Sequence, residues 1–456
     1  MAAARCSPTG GGAPTPAVRR STMLLPGSWG GAYTFSSNER HRPRGGARVR
    51  RGNSGRWPMA ETVRRSFGAL LAAGMLVVGV PSSRAQERGT EGLPEEAVLD
   101  VAEEHGTAVL PEASPHWLYV LDPVFPHLVA SKVYVIDGDN LRFLGMLNTG
   151  YVPNMALAPD RSEIYVAETY YSRGTRGERT DVVTFYDAKT LEPTGEVELP
   201  RGRFLVVPKK PNAVTTPDGR YLLSFNMEPA TSVDIVDLEK KAYVGDIEVP
   251  GCSLIFPTGN RSFSMLCPDG SLVDVSFDEN GAAQIRDNEP FFDSEADPVF
   301  EHAVVSARNG RAFFLSYEGI VYEAALGADG MRITGDWSLL TEEDRAEKWR
   351  PGGWQLMAYH SGTDRLFVLM HEGDRWTHKE AGEEVWVFDV GERKRVARVP
   401  LEHPAISVSV SQDDQPLLFT LSEAASVSVF DATDYSPKGT IEGVGDSPFL
   451  MYVQGE

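Results

Sequence analysis

Cysteine is scarce in this chain: of 456 residues only Cys6, Cys252 and Cys267 carry a thiol. That excludes a disulfide-dense miniature scaffold, and the spacing of Cys252 and Cys267 fits neither haem attachment nor a thioredoxin motif. Catalytic signatures are also missing. No Gly-x-Gly-x-x-Gly follows a strand-like run, and there is no phosphate loop and no Gly-x-Ser-x-Gly elbow. His371-Glu372 is not followed by a histidine one helical turn on, which excludes the zincin arrangement. His371 and His378 flank a polar excursion and could meet across a hairpin, but the ordinary reading of each is a surface or core imidazole.

Positive charge is thin over most of the length. Residues 1–85 hold 13 Arg and 2 Glu, so the remainder carries 31 basic against 62 acidic residues, a formal charge of −31. Such a body repels nucleic acid and anionic membranes, and neither is expected as a partner. Long apolar runs are rare too. The run from Phe67 to Val80 is short and glycine-interrupted for a membrane span. Arg64-Arg65 precedes it, and Ser83-Arg84-Ala85 follows with small residues where a signal peptidase reads. Residues 59–85 are therefore read as a secretory signal beginning at Met59, with an uncleaved anchor as the alternative. Residues 1–58, rich in Arg, Gly, Pro and Ser and without Lys or Asp, read as disordered or untranslated. The acidic stretch 86–110 reads as an N-terminal arm.

What the chain has in quantity is a repeated four-strand unit. Its clearest copy spans Asn212 to Pro250. Asp218-Gly219 is a tight-turn pair, Tyr221 to Phe225 is β-rich, a second turn falls at Asp237 to Lys240, and Ala242 to Val249 forms the last strand. About 40 residues of antiparallel sheet is one propeller blade. The first turn recurs near Glu112-Ala113, Pro159-Asp160, Thr258-Gly259, Asn309-Gly310, Gly362-Thr363 and Asp413-Asp414. The second recurs with an Asp behind large apolar residues, as in Ile136-Asp137, Tyr186-Asp187, Phe277-Asp278, Phe388-Asp389 and Phe430-Asp431. An Asp there can accept hydrogen bonds from the turn backbone while its neighbours pack between sheets. The spacing predicts an all-β, seven-bladed β-propeller of four-stranded antiparallel blades over residues 111–456, with a β-sandwich as the alternative. Phe449 to Val453 is placed to close the ring beside an N-terminal strand, which removes exposed edges. Thr341 before Glu342-Glu343 predicts a short capped helix. Cys252 and Cys267 flank one hairpin turn and are expected to be bridged in an exported protein, the alternative being two buried thiols.

Within this pattern lie stretches that resemble a known family. They include Ser172 to Asp181, Pro211 to Gly219, Val249-Pro-Gly-Cys252, Cys267-Pro-Asp-Gly-Ser271, Trp349 to Gln355, Tyr359-His360, Trp376-Thr-His-Lys379 and Ser409 to Asp413. From about residue 110 onward the chain resembles the heavy subunit of quinoprotein amine dehydrogenases, the methylamine and aromatic-amine enzymes. The resemblance implies a periplasmic propeller that joins a cysteine-rich light subunit as two heavy plus two light chains. It implies that the cofactor, tryptophan tryptophylquinone, is carried by the light subunit, so no catalytic or cofactor-binding residue is assigned here. Primary amines would be oxidised to aldehyde and ammonia, and electrons would pass to a blue copper protein of amicyanin or azurin type. Methylamine is the favoured substrate, an aromatic amine the alternative. Phe125, in the first-blade loop, is the nearest equivalent of a heavy-chain phenylalanine that lines the amine channel in the methylamine enzymes, although Pro126-His127 depart from that pattern, and the alternative is an aromatic packed on the propeller rim; Tyr170-Tyr171 is a second candidate for that face. Read without the resemblance, the chain is an exported acidic propeller, and a non-catalytic binding protein is the competing class.

The signal reading has a direct check. N-terminal sequencing of the exported protein should begin at or soon after Gln86, and a mature chain that retains Gly68 to Val80 overturns it.

Overall fold

The computed structural model describes residues 109–203 and 206–455. The leader at 1–58, the signal segment at 59–85 and nearly all of the 86–110 arm lie outside them. The described residues build antiparallel sheets throughout, with one short helix, Glu342–Ala346. Thr341 caps that helix in a reciprocal box with Asp344, whose backbone N–H donates to the Thr341 hydroxyl at 3.2 Å.

Five sheets are separate four-stranded blades. The first combines Trp117–Asp122, Lys132–Asp137 and Arg142–Asn148 with the C-terminal strand Leu450–Val453 on its inner side. The second runs from Tyr151–Leu157 to Pro193–Glu198, and the third from Ala213–Thr215 to Ala242–Glu248. The fourth runs from Ser253–Gly259 to Ala283–Asp287, and the fifth from Val304–Ser306 to Gly330–Ser338.

The count of seven four-stranded blades is corrected here: the structure has five. The residues expected to form two more make one eight-stranded sheet. Its continuity comes from a 17-residue strand, Lys394–Val410, which pairs with Gly382–Asp389 along one part and with Leu417–Ser422 along the other. The physical reason is a missing glycine turn. Between the second and third blades, and between the third and fourth, the chain turns at Gly202 and Gly251, both at positive φ. The corresponding stretch from Pro400 to Ala405 contains no glycine and stays extended.

Burial explains why these segments are strands. Middle strands lie between two neighbouring sheets, so alternate side chains bury in opposite directions. Tyr221, Leu223 and Phe225 join a core with Ile255, Phe263, Met265 and Val275 of the next blade. Leu222 points the other way, against Tyr165 and Phe185 of the preceding one. Outer strands have no such second neighbour, and Ala283–Asp287 is exposed along its whole length. The turn aspartates behave as expected. The Asp187 carboxylate accepts from Lys189 N at 3.0 Å and Thr190 N at 2.8 Å, and Asp137, Asp237, Asp278, Asp389 and Asp431 each cap their own turn similarly. The turn expected near Glu112-Ala113 is not a hairpin, because Trp117–Asp122 takes its inner partner from the other end of the chain, with Leu118 opposite Val453 and Leu121 opposite Leu450.

Cys252 and Cys267 are disulfide-bonded with their Cα atoms 4.2 Å apart. Closing a loop of 15 residues should contribute about 3 kcal/mol through the unfolded chain. Non-reducing peptide mapping should find the two cysteines linked, and the C252S/C267S double variant should melt lower. Two alkylatable thiols in the exported folded protein would remove the bridge.

A second expectation concerns Asp234, which is fully buried in the third blade, with the Tyr243 hydroxyl donating to it at 3.0 Å. Burial raises its pKa to about 7, the Tyr243 hydrogen bond opposing and the Asp246 charge adding to the rise. The folded state therefore holds a proton that the unfolded chain releases between about pH 4 and 7. Stability from this group is lost as pH rises through that window and levels off above it. Asp234→Asn removes the cost of ionisation, on the order of 4 kcal/mol. Its melting temperature should exceed wild type at pH 8 and converge with it near pH 4. A variant advantage of equal size at both pH values would refute the buried ionisation.

Candidate functional face and its aromatic band

The loop that carries Phe125 is fixed by a carboxylate that sequence reasoning missed. Asp122 ends the strand Trp117–Asp122 and is fully buried. It accepts from Val124 N at 2.8 Å, from Asp446 N at 2.8 Å and from Ser447 N at 3.2 Å, which ties the first-blade loop to the segment before the closing strand. Gly445 is required beside it, since a Cβ there would lie 2.3 Å from an Asp122 oxygen. The Ser447 hydroxyl then accepts from Phe125 N at 2.9 Å. Residues Phe125–Ala130 wind into 3-10 turns, and the Phe125 ring is left 42% exposed, edge-on to Phe449 at 5.1 Å.

Phe449 starts a band of rings. Trp354 lies 4.7 Å from Phe449, and His302 lies 5.6 Å from Trp354. The Lys379 ammonium sits 5.0 Å over the Trp354 ring. The Gly353 N–H donates to the His378 carbonyl at 3.2 Å, so the Trp354 and His378 loops are joined through backbone. Beyond that bond His378 stacks on Tyr317 at 3.9 Å, Phe300 lies 4.6 Å from Tyr317, and Tyr317 lies 6.2 Å from Trp376. The band thus begins at an exposed phenylalanine and ends at Trp376, which is 53% exposed.

The inner strands line a central cavity of about 310 Å³ whose wall includes Met155, Val304, Gln355 and Tyr452. His302 belongs both to this wall and to the band. Its Nδ1 lies 3.0 Å from the Trp354 carbonyl, and its Nε2 accepts from Lys210 N at 3.3 Å. Full burial, with Lys210 and Lys209 adding repulsion, pushes its pKa down to about 3 and keeps it neutral.

Tyr170, the second candidate, is 43% exposed, while Tyr171 stands edge-on to Tyr151 at 5.8 Å. Beneath them is a buried polar network. Glu168 accepts from Gly150 N at 2.5 Å and from the Tyr186 hydroxyl at 3.1 Å, and burial raises its pKa. The buried Arg203 guanidinium donates to the Val152 carbonyl at 2.6 Å and the Tyr151 carbonyl at 3.1 Å, and burial lowers its pKa to about 10. The charged loop from Ser172 to Asp181 joins the same network, because Arg179 donates to the Arg203 carbonyl at 2.7 Å while pairing with Asp181 at 2.7 Å and with Glu228 at 3.1 Å.

His371 and His378 do not form a ligand pair. The His371 Nε2 meets the Thr377 hydroxyl at 2.8 Å, whereas His378 is committed to Tyr317. Burial, then the Arg350 charge, lowers the His371 pKa to about 4. Among the described residues no group of three or more His, Cys, Asp or Glu side chains could hold a metal ion. The arrangement on this face is suited to shape recognition: rigid aromatic walls with neutral imidazoles between them.

Comparison with known proteins agrees along nearly the whole described length. The family model for the methylamine dehydrogenase heavy chain (MADH) matches residues 115–454. The methylamine dehydrogenase heavy chain of Methylophilus methylotrophus is 35% identical over 388 residues, covering 85% of this chain and 94% of that one. The heavy chain of Paracoccus versutus is 36% identical over 409 residues, covering 84% and 95%. A solved structure of the dihydro-heme d1 dehydrogenase NirN in complex with DHE superposes with a TM-score of 0.51 at 16% identity, covering 76% of this chain and 77% of that one, a likeness of fold alone. Family model and relatives together span the blades, the bridged cysteines and both ends of the aromatic band, and the chain belongs to the methylamine dehydrogenase heavy-chain family.

Proposed function

We propose that this chain is the large, cofactor-free subunit of a periplasmic amine dehydrogenase. Two copies assemble with two copies of a small, cysteine-rich subunit that carries tryptophan tryptophylquinone. The complex oxidises methylamine to aldehyde and ammonia, and electrons leave to a blue copper protein of amicyanin or azurin type. Relatives named as methylamine dehydrogenase heavy chains support the substrate. The observation that carries the reading is the half-exposed Phe125, held on a stapled loop at the start of an aromatic band.

When bound with its small subunit, the quinone supplies the electrophilic carbonyl that takes up the amine and its electrons. The work of this chain is positioning and exclusion. The Phe125 ring, backed by Phe449, forms an apolar wall that limits amine size and keeps water from the entrance. His302, held neutral behind Trp354, supports that ring without adding to the positive charge of Lys379, Lys210 and Lys209 around it.

The purified chain alone should show neither quinone absorption nor amine-dependent dye reduction, and both should return in the assembled complex. Robust turnover by the single chain would overturn the assignment. In the complex, Phe125→Ala should change the ratio of kcat/KM for methylamine to that for a bulkier amine. One apolar contact is worth about 1–3 kcal/mol of discrimination, roughly 5- to 150-fold. An unchanged ratio at full activity would leave Phe125 as a packing partner of Phe449 and nothing more.

A further inference from the structure

Trp376 is the least buried aromatic ring of the band, and its setting is built to hold it there. Large aromatic side chains are normally the most strongly buried, so a tryptophan 53% exposed on a well-fastened loop calls for a reason. Its backbone sits at φ +74, a left-handed conformation that a bulky residue rarely takes. The loop is pinned on every side. Arg375 donates to the Ala296 carbonyl at 2.5 Å and pairs with Glu318 at 3.4 Å, and its guanidinium lies 4.7 Å over the indole. Lys348 pairs with Asp374 at 2.8 Å, Arg350 donates to the Gly373 carbonyl at 3.0 Å, and the Thr377 hydroxyl meets His371 at 2.8 Å. A ring fixed in this way loses little freedom when a partner covers it. Tryptophan and arginine are also, with tyrosine, the residue types enriched where alanine substitution costs an interface most.

Resting on the proposed function, we infer that Trp376, backed by Arg375, is the second anchor of the small-subunit footprint, at the end of the band opposite Phe125. Two observations select this occupant. The band is continuous: ring contacts run from Phe125 through Phe449 to Trp354, and the Gly353–His378 bond carries it on to Tyr317 and Trp376. A stable interface needs about 800 Å² on each partner, roughly 20–30 residues, more than the Phe125 loop supplies. A footprint that includes Phe125 must therefore take in other exposed residues, and the band that starts there ends at one, Trp376.

The test uses the full chain and the quinone-bearing small chain separated from the wild-type complex, with dissociation constants measured by sedimentation. Trp376→Ala should weaken association by about 30-fold or more. Trp376→Phe should recover part of the loss, and thermal melting of each large chain alone should show that both variants fold. An affinity for Trp376→Ala within about 3-fold of wild type overturns the inference and leaves the proposed function standing. Unchanged small-chain affinity with a raised KM for the copper acceptor also overturns it and assigns this end of the band to that acceptor. Failure of the wild-type chain to bind the quinone-bearing small chain removes the proposed function itself, and the inference with it.

Discussion

The Phe125 end of the functional face depends on the pairing of Leu450–Val453 with Trp117–Asp122. That contact joins residues more than three hundred positions apart and leaves the first blade without an open inner edge. It also fixes what precedes it. Because Phe449 N–H donates to the Leu121 carbonyl at 2.9 Å, the Phe449 ring is held at the start of the closing strand, where Phe125 can meet it. Asp122 adds a second tie by accepting from Asp446 and Ser447. A register slip of one residue would send Leu450 and Tyr452 from the core they share with Trp117 and Tyr119 to the opposite side. The closure, the stapled loop and the exposed phenylalanine are therefore one construction.

Two kinds of buried group hold the neighbouring parts of the face. Around Tyr151 and Tyr170 the holding is polar: Arg203 fastens two successive carbonyls, and Glu168 fastens the Gly150 amide. Such charges are costly to bury, and they persist because their partners are fixed backbone groups. Around Trp354 the holding is aromatic, with His302 neutral between ring and cavity. Neither arrangement leaves the loops free to reorganise, which suits a surface that recognises a partner or a small amine by shape.

The blade repeat was legible because middle strands are buried on both sides and outer turns carry an aspartate. Runs such as Tyr221 to Phe225 are almost continuously apolar, and Asp187 and Asp237 do what an aspartate after an apolar pair can do. The merging of the last eight strands was not legible. It turns on whether the chain bends between Val399 and Ala405, and a Pro-Leu-Glu-His-Pro stretch reads equally well as a linker or as extended strand. Turn spacing counts turns, and it is blind to an outer strand that runs straight into the next inner one.

On the face itself, sequence singled out the tips and missed their supports. Phe125 stood out through the resemblance and its aromatic, proline-rich loop, Tyr170 as one of two rings at a strand end, and Trp376 only within a family-like stretch. Asp122, Phe449 and His302 gave no local signal. Each acts through a partner distant in the chain, Asp122 through Ser447 and His302 through Trp354. An aspartate at the end of a strand looks like any other turn residue until the ring closes and brings the C-terminal segment to it. The same holds for much of the band: its rings come from six separate segments, and while local pairing sets Phe300 beside Tyr317, only the arrangement of the sheets sets Phe449 beside Trp354. In a propeller the residues that touch a ligand are local features of loops, whereas their orientation is a property of the closed ring. A sequence therefore names the first more readily than it explains the second.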